Sequence, residues 1–97
     1  MLQVETTEAF DAWHLALDKL TRARIAARLV KLSAGLWGDC KSVGGGVTEL
    51  REDFGPGWRI YVTRRGEVLV VVLAGGSKRA QQRDIERAIA LAEQIKE

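Results

Sequence analysis

Residues 47–76, VTELREDFGPGWRIYVTRRGEVLVVVLAGG, decide the fold. They divide into three extended runs: Val47–Glu52, Trp58–Thr63 and Val68–Ala74. The connections are short. Asp53–Gly57 contains Gly-Pro-Gly, and Arg64–Gly66 is a tight polar turn. Turns of that length join antiparallel neighbours, so the segment is predicted to be a meander. Its last run, VLVVVLA, is apolar at every position. Such a strand is expected inside a sheet and covered on both faces.

Working outward, Leu2–Glu5 is predicted to be a short first strand. Thr6 or Thr7 then caps a helix whose apolar face is Phe10, Trp13, Leu17 and Leu20, with Glu8 and Asp11 near its positive end. Thr21 is predicted to cap a second helix, Arg22 to about Ala34. Ile25, Leu29, Leu32 and Ala26 form its apolar set, and Arg24, Arg28 and Lys31 its polar set. Gly35 suits the position just past that helix. Leu36–Gly46 holds four glycines and no apolar period, so it reads as a loop. Beyond Gly75-Gly76, Ser77 is predicted to cap a last helix with Ile85, Ala88, Ile89, Ala92 and Ile95 as its stripe. The expected fold is one α+β domain spanning 1–97, in the order β-α-α-β-β-β-α, with helices on a small antiparallel sheet.

The bulk numbers agree with a single folded domain. The chain has 97 residues, 46% hydrophobic and 29% charged. Cys40 is the only cysteine, so no internal disulfide forms, as suits a reducing cytosol. Glu5, Glu8 and Asp11 interrupt any signal-peptide core, and the longest apolar run is too short to span a bilayer. A cytoplasmic protein without membrane contact is the expectation. The net charge is only +2, but residues 22–65 carry nine basic and four acidic side chains. A basic middle can steer a polyanion.

Strand alternation places that charge. Trp58, Ile60, Val62 and Leu50 should face the core, which leaves Glu49, Arg51, Arg59, Tyr61 and Thr63 on the opposite face. Lys78 and Arg79 lie just past the neighbouring strand. Such a cluster suits a phosphate and the extra charge of its transition state. It equally suits a solvated face with cross-strand Glu–Arg pairs.

Five motifs in order then resemble one family: W-G-D-x-K (Trp37–Lys41), G-x-x-E-L-R (Gly46–Arg51), G-P-G-W-R-I-Y (Gly55–Tyr61), L-A-G-G-S-K (Leu73–Lys78) and Q-x-x-D-I-x-x-A (Gln81–Ala88). Together they resemble the RelE/ParE toxin superfamily, and within it the HigB-like, phage-derived addiction-module killer proteins. The resemblance implies the toxin of a type II toxin–antitoxin pair, with a small helix-turn-helix antitoxin of the HigA kind as partner. RelE-like members cut mRNA in the ribosome without a metal or cofactor, the RNA's 2′-OH attacking the adjacent phosphodiester. ParE-like members share the fold but poison DNA gyrase, so the resemblance leaves that alternative standing.

Carried over by position, the resemblance implies that Arg59 contacts the scissile phosphate, that Arg51 is another sheet arginine near it, and that Lys78 falls about where relatives keep a second phosphate-stabilising basic residue. It places Asp84 near the C-terminal proton-transfer position, with Tyr61 and Glu49 as further acid–base candidates. Lys41 and Arg79 become RNA contacts. The chain departs from RelE at Val47 and Glu49, where RelE has lysines, and at Asp84, where RelE has its catalytic tyrosine. The other singular residues read as structural. His14 has no companion for a metal site or triad, Cys40 has no histidine partner, and Trp37 anchors a loop. Gly44–Gly46 lacks the Gly-Lys-Ser/Thr of a phosphate loop and reads as a flexible connection.

Overall fold

The three extended runs are strands in the computed structural model, which describes residues 1–95. The elements are β1 (Gln3–Thr6), α1 (Glu8–Leu15), α2 (Lys19–Ser33), β2 (Cys40–Gly44), β3 (Val47–Arg51), β4 (Trp58–Arg65), β5 (Leu69–Ser77), a 3-10 turn (Lys78–Ala80) and α3 (Gln81–Gln94). They build a five-stranded sheet in the order β1-β5-β4-β3-β2. The meander β3-β4-β5 is antiparallel, as the turns require, and β4 lies at the centre.

The sheet departs from expectation in two ways. It is mixed and not purely antiparallel, because β1 pairs in parallel with β5. It also has a strand more than expected, because Cys40–Gly44 pairs with β3. That segment is a short edge strand with a register shift between Ser42 and Gly44. Only Cys40 and Val43 within it are half-buried, which leaves no alternating apolar signal. The glycines after it are not a loose connection. Gly44, Gly45 and Gly46 all hold positive φ and close the β2–β3 turn. A Cβ on Gly45 would stand 2.7 Å from Ile89 Cγ2, so the turn is pressed against α3.

Helix ends follow local chemistry. Thr7 caps α1, accepting from the Phe10 amide at 3.1 Å while its hydroxyl donates to the Leu73 carbonyl at 2.7 Å. Asp18, not Thr21, caps α2. Its carboxylate accepts from the Thr21 amide at 3.1 Å, and hydrogen bonding to Thr21 holds its pKa below the usual value. Gly35, at φ +84°, ends α2: its amide donates to Leu32 O and that of Leu36 to Lys31 O, a Schellman pattern. Ser77 makes no capping bond with its side chain. The chain takes a 3-10 turn there first, and α3 begins at Gln81.

Both faces of the sheet are covered. On one, Phe10 of α1 with Ile25 and Leu32 of α2 pack against Leu50, Ile60, Val62, Val70 and Val72. On the other, Ala88 and Ala92 of α3 pack against Val47, Tyr61, Val71, Leu73 and Ala74. A bulge at Tyr61/Val62 lets the consecutive Leu73 and Ala74 both serve the α3 side. The face carrying Tyr61, Glu49 and Arg59 is therefore roofed by α3, and the solvated-face reading falls away. Leu20 is corrected too: it is 68% exposed at the start of α2. So is Arg28, which is buried and not on a polar face. Among the described residues no helix is long and apolar enough to cross a membrane.

Gly75 shows how closely the first layer is packed. A Cβ there would lie 2.7 Å from Trp13 Cη2 and nearer still to two other ring atoms. Neither the indole nor the strand backbone can move far. Gly75→Ala is expected to cost about 1–3 kcal/mol, as overpacking does. Urea unfolding would check it, and an unchanged midpoint would disprove the packing argument.

Candidate functional site

Arg51 and Arg59 are cross-strand partners on β3 and β4, and Gly76 of β5 lies opposite Arg59. Side chains at paired positions share a face, so the register brings the two guanidiniums side by side. Lys78 follows β5 by one residue and joins them. The three line one open cleft of about 570 Å³, together with Asp39, Glu52, Asp53 and the turn Gly55-Pro56-Gly57. Gly57 makes the approach possible. It holds φ +76°, and a Cβ there would sit 3.2 Å from Lys78 Cβ and 3.6 Å from Arg59 Nη1.

Three carboxylates line the cleft beside these cations, and Asp53 among them is exposed. Glu52 is ion-paired with Arg28. Asp39 stands 3.4 Å from Arg51 Nη2, a loose and exposed pair. Arg59 is different. It is 8% exposed, yet its Nη1 donates only to the carbonyls of Glu52 at 3.2 Å and Trp58 at 3.1 Å. Its Nε has no partner, and no carboxylate lies within ion-pair distance among the described residues. A buried guanidinium without a counter-anion is costly unless an anion from outside completes it.

The acid–base candidates do not enter this cleft. Tyr61 is fully buried and its hydroxyl is sealed from solvent, so it neither stacks on a base nor reaches a substrate. Burial, then the adjacent Glu49 carboxylate, then Asp84 push its phenol far above the usual value, with Arg59 pulling the other way. The hydroxyl lies beside Glu49, yet its geometry makes no hydrogen bond. Glu49 is equally buried. It accepts from Gln81 Nε2 at 2.7 Å, and its other oxygen lacks a partner. These two groups fasten α3 over the sheet.

Asp84, in the first turn of α3, lines a neighbouring hollow. Its carboxylate occupies the space a side chain on residue 76 would need, so it lies beside the strand position facing Arg59. Burial raises its pKa, and Arg83 and Arg87 offset part of the rise. A folded-state pKa above the unfolded value of 3.8 favours folding below that value, and the contribution is lost as pH rises through the raised one. Asp84→Asn is therefore expected to gain stability relative to the unaltered protein as pH rises from about 3.5 to 6. Denaturant unfolding at both pH values checks this, and a difference that stays constant counts against it.

Lys41 is exposed on edge strand β2, two strands away from Tyr61 and opposite Glu49. Arg79 is exposed beside the hollow that holds Asp84. Neither lines the cleft of Arg59. His14 donates from Nε2 to Arg22 O at 2.9 Å and stacks on Phe10. Cys40 and Trp37 pack against the first core. One important residue escaped the sequence reading. Arg28 sits under the cleft and donates to the carbonyls of Trp37, Asp39 and Arg51, each at 2.9 Å, besides pairing with Glu52. Its position three after Ile25 and four before Leu32, within an apolar stripe, was the available signal.

No protein-family model matches the chain. A protein of Haemophilus influenzae strain Rd, described as uncharacterized, is 43% identical over 95 residues, covering 97% of this chain and 96% of that one. Among solved structures, a mutant of the E. coli toxin RelE in its free state superposes with a TM-score of 0.74 at 16% identity, over 98% of both chains. That likeness establishes the RelE-like fold.

Proposed function

Because the chain belongs to one family with the Haemophilus influenzae protein and carries the RelE-like fold along its whole length, we propose that it is the toxin of a toxin–antitoxin pair, a metal-independent endoribonuclease that cuts mRNA on the ribosome. The observation that carries this reading is Arg59: a buried guanidinium without a carboxylate, opening with Arg51 and Lys78 into one cleft. A phosphodiester supplies the missing anion.

In the proposed reaction the ribose 2′-oxygen attacks the adjacent phosphorus as the bond to the 5′-oxygen breaks. One proton leaves the 2′-hydroxyl and one is delivered to the departing 5′-oxygen. The products are a cyclic phosphate and a 5′-hydroxyl end. The extra negative charge builds on the phosphate oxygens, where Arg59, Lys78 and Arg51 would hold it. Of the acid–base candidates, Asp84 is the one beside a surface hollow, and we assign proton transfer to it. We assign Lys41 and Arg79 to the approach of RNA, and a HigA-like helix-turn-helix antitoxin as partner within the HigB-like branch.

Induced expression tests the reading. The expected result is growth arrest with cleavage inside translated codons, mapped at the new 5′ ends. Arrest with DNA breaks and intact mRNA would replace it with the gyrase-poison reading. Lys78→Ala is expected to lower cleavage by about 10-fold or more, less than a change at Arg59, because the lysine is exposed to solvent. Full toxicity at equal protein levels would remove Lys78 from the site.

A further inference from the structure

A second hollow, of about 530 Å³, lies beside the start of α3, and the cleavage reading draws on only Asp84 and Arg79 of its lining. It adjoins the cleft: Pro56 lines both, and Ser77 in the hollow precedes Lys78 in the cleft. Its two walls differ in chemistry. One is aromatic, made by Trp13 and Trp58, half-buried rings 5.8 Å apart and inclined at 72°. The other is cationic, made by Arg79, Arg83 and Arg87.

The three arginines recur every fourth residue, so they form a ladder along one side of the 3-10 turn and α3. All three are exposed, and none makes a hydrogen bond or an ion pair among the described residues. Its floor is the strand at Gly75 and Gly76, with the Trp13 ring against Gly75 and the Asp84 carboxylate against Gly76. Asp84 is the acidic group of the lining, drawn in against Gly76, and it faces two of the arginines. A carboxylate on the floor repels phosphate and leaves that place to a base.

We propose that this hollow seats a nucleotide of single-stranded RNA next to the phosphate bound by Arg59, its base against Trp13 and Trp58 and its backbone along Arg79, Arg83 and Arg87. The inference rests on the reading of the chain as an RNA-cutting protein. A polyanion alone would need only the ladder. The paired indoles opposite it fit an occupant with an aromatic face as well as a charge, which is what a nucleotide offers. An acidic protein surface would use the arginines and leave the tryptophans unused.

The test uses a labelled 2′-O-methyl oligoribonucleotide of about ten residues, which cannot be cut, with binding followed by fluorescence anisotropy over a range of salt. The variant Arg79→Ala/Arg83→Ala/Arg87→Ala is expected to bind at least about 10-fold more weakly near 0.1 M salt. Its plot of log affinity against log salt should be shallower by about 2, three phosphate contacts being lost. A control variant, Lys19→Ala/Lys31→Ala/Arg64→Ala, removes equal charge far from the hollow and should bind as the unaltered protein does. Tryptophan emission should fall when the oligonucleotide binds. Unchanged affinity and slope in the first variant, an equal loss in the control, or unaltered emission would each overturn the proposal. Ladder-dependent RNA binding by a protein that leaves translated mRNA intact would uphold the hollow and overturn the cleavage reading instead.

Discussion

Arg59→Ala is expected to lower mRNA cleavage by about 10²–10³-fold, the usual effect of removing one preorganised donor to a developing oxyanion. The reason lies in how little else Arg59 does. Its contacts are two backbone carbonyls at 3.1 and 3.2 Å, and its Nε is unpaired. The strand supports it by register, between Arg51 and Gly76, and the Gly57 turn leaves one side open to the cleft. Such a side chain is held ready at the expense of folding stability. Removing it should therefore leave the melting temperature nearly unchanged, or raise it, while activity falls. Arg59→Lys keeps the charge but loses the planar fork, so it should retain only part of the activity. Cleavage mapped in a translating lysate, with calorimetry on the same samples, separates the two effects. Undiminished cleavage by Arg59→Ala would end the assignment. A variant that loses activity only because it unfolds would show Arg59 to be structural.

How much of this was readable in advance depended on the range of the interaction involved. The meander is local. Alternation in Trp58–Thr63 and the Gly-Pro-Gly turn specify it, so the shared face of Arg51 and Arg59 followed from the sequence, and the register then pairs them directly. Strand β1 was readable as a strand, but its parallel partner was not, because β1 and β5 are far apart in the chain and joined only through the whole fold. Strand β2 was invisible because an edge strand owes its shape to its neighbour and not to its own pattern. Two of the acid–base candidates, Tyr61 and Glu49, were out of reach for a similar reason. Alternation placed Tyr61 and Glu49 on the same face as Arg59 correctly, yet only the docking of α3, through Gln81 and the alanines at 88 and 92, decides that they are roofed over. Of that face, Arg51 and Arg59 also line the open cleft, while Tyr61 and Glu49 do not. The family resemblance supplied the order of motifs and the charge-bearing residues. It did not distinguish Arg59, a buried arginine without a carboxylate partner, from Arg28, which binds the chain itself.

That second arginine carries the largest expected loss of stability. Arg28 is 9% exposed, and its guanidinium meets the Glu52 carboxylate and the carbonyls of Trp37, Asp39 and Arg51. It thereby fastens the segment after α2 to the end of β3, the two chain stretches that place Asp39, Arg51 and Glu52 around the cleft. Gly38, at φ +67°, lies against it: a Cβ there would stand 3.1 Å from Nη2, so the loop wraps the guanidinium without a side chain between them. In Arg28→Ala the carbonyls of Trp37, Asp39 and Arg51 each lose a donor, Asp39 O keeping the Arg51 amide, and a partly buried carboxylate loses its cation. The expected cost is about 3–5 kcal/mol, the range for breaking a buried pair from one side. For a small domain that is a large share of the total. Arg28→Lys should recover little, because one ammonium cannot reach acceptors spread around a planar fork. Glu52→Gln in the Arg28→Ala background should restore part of the loss, since it removes the stranded charge. Guanidinium unfolding of the three variants decides the matter. If Arg28→Ala lies within about 1 kcal/mol of the unaltered protein, the network is ornamental and the cleft owes its shape to the sheet alone.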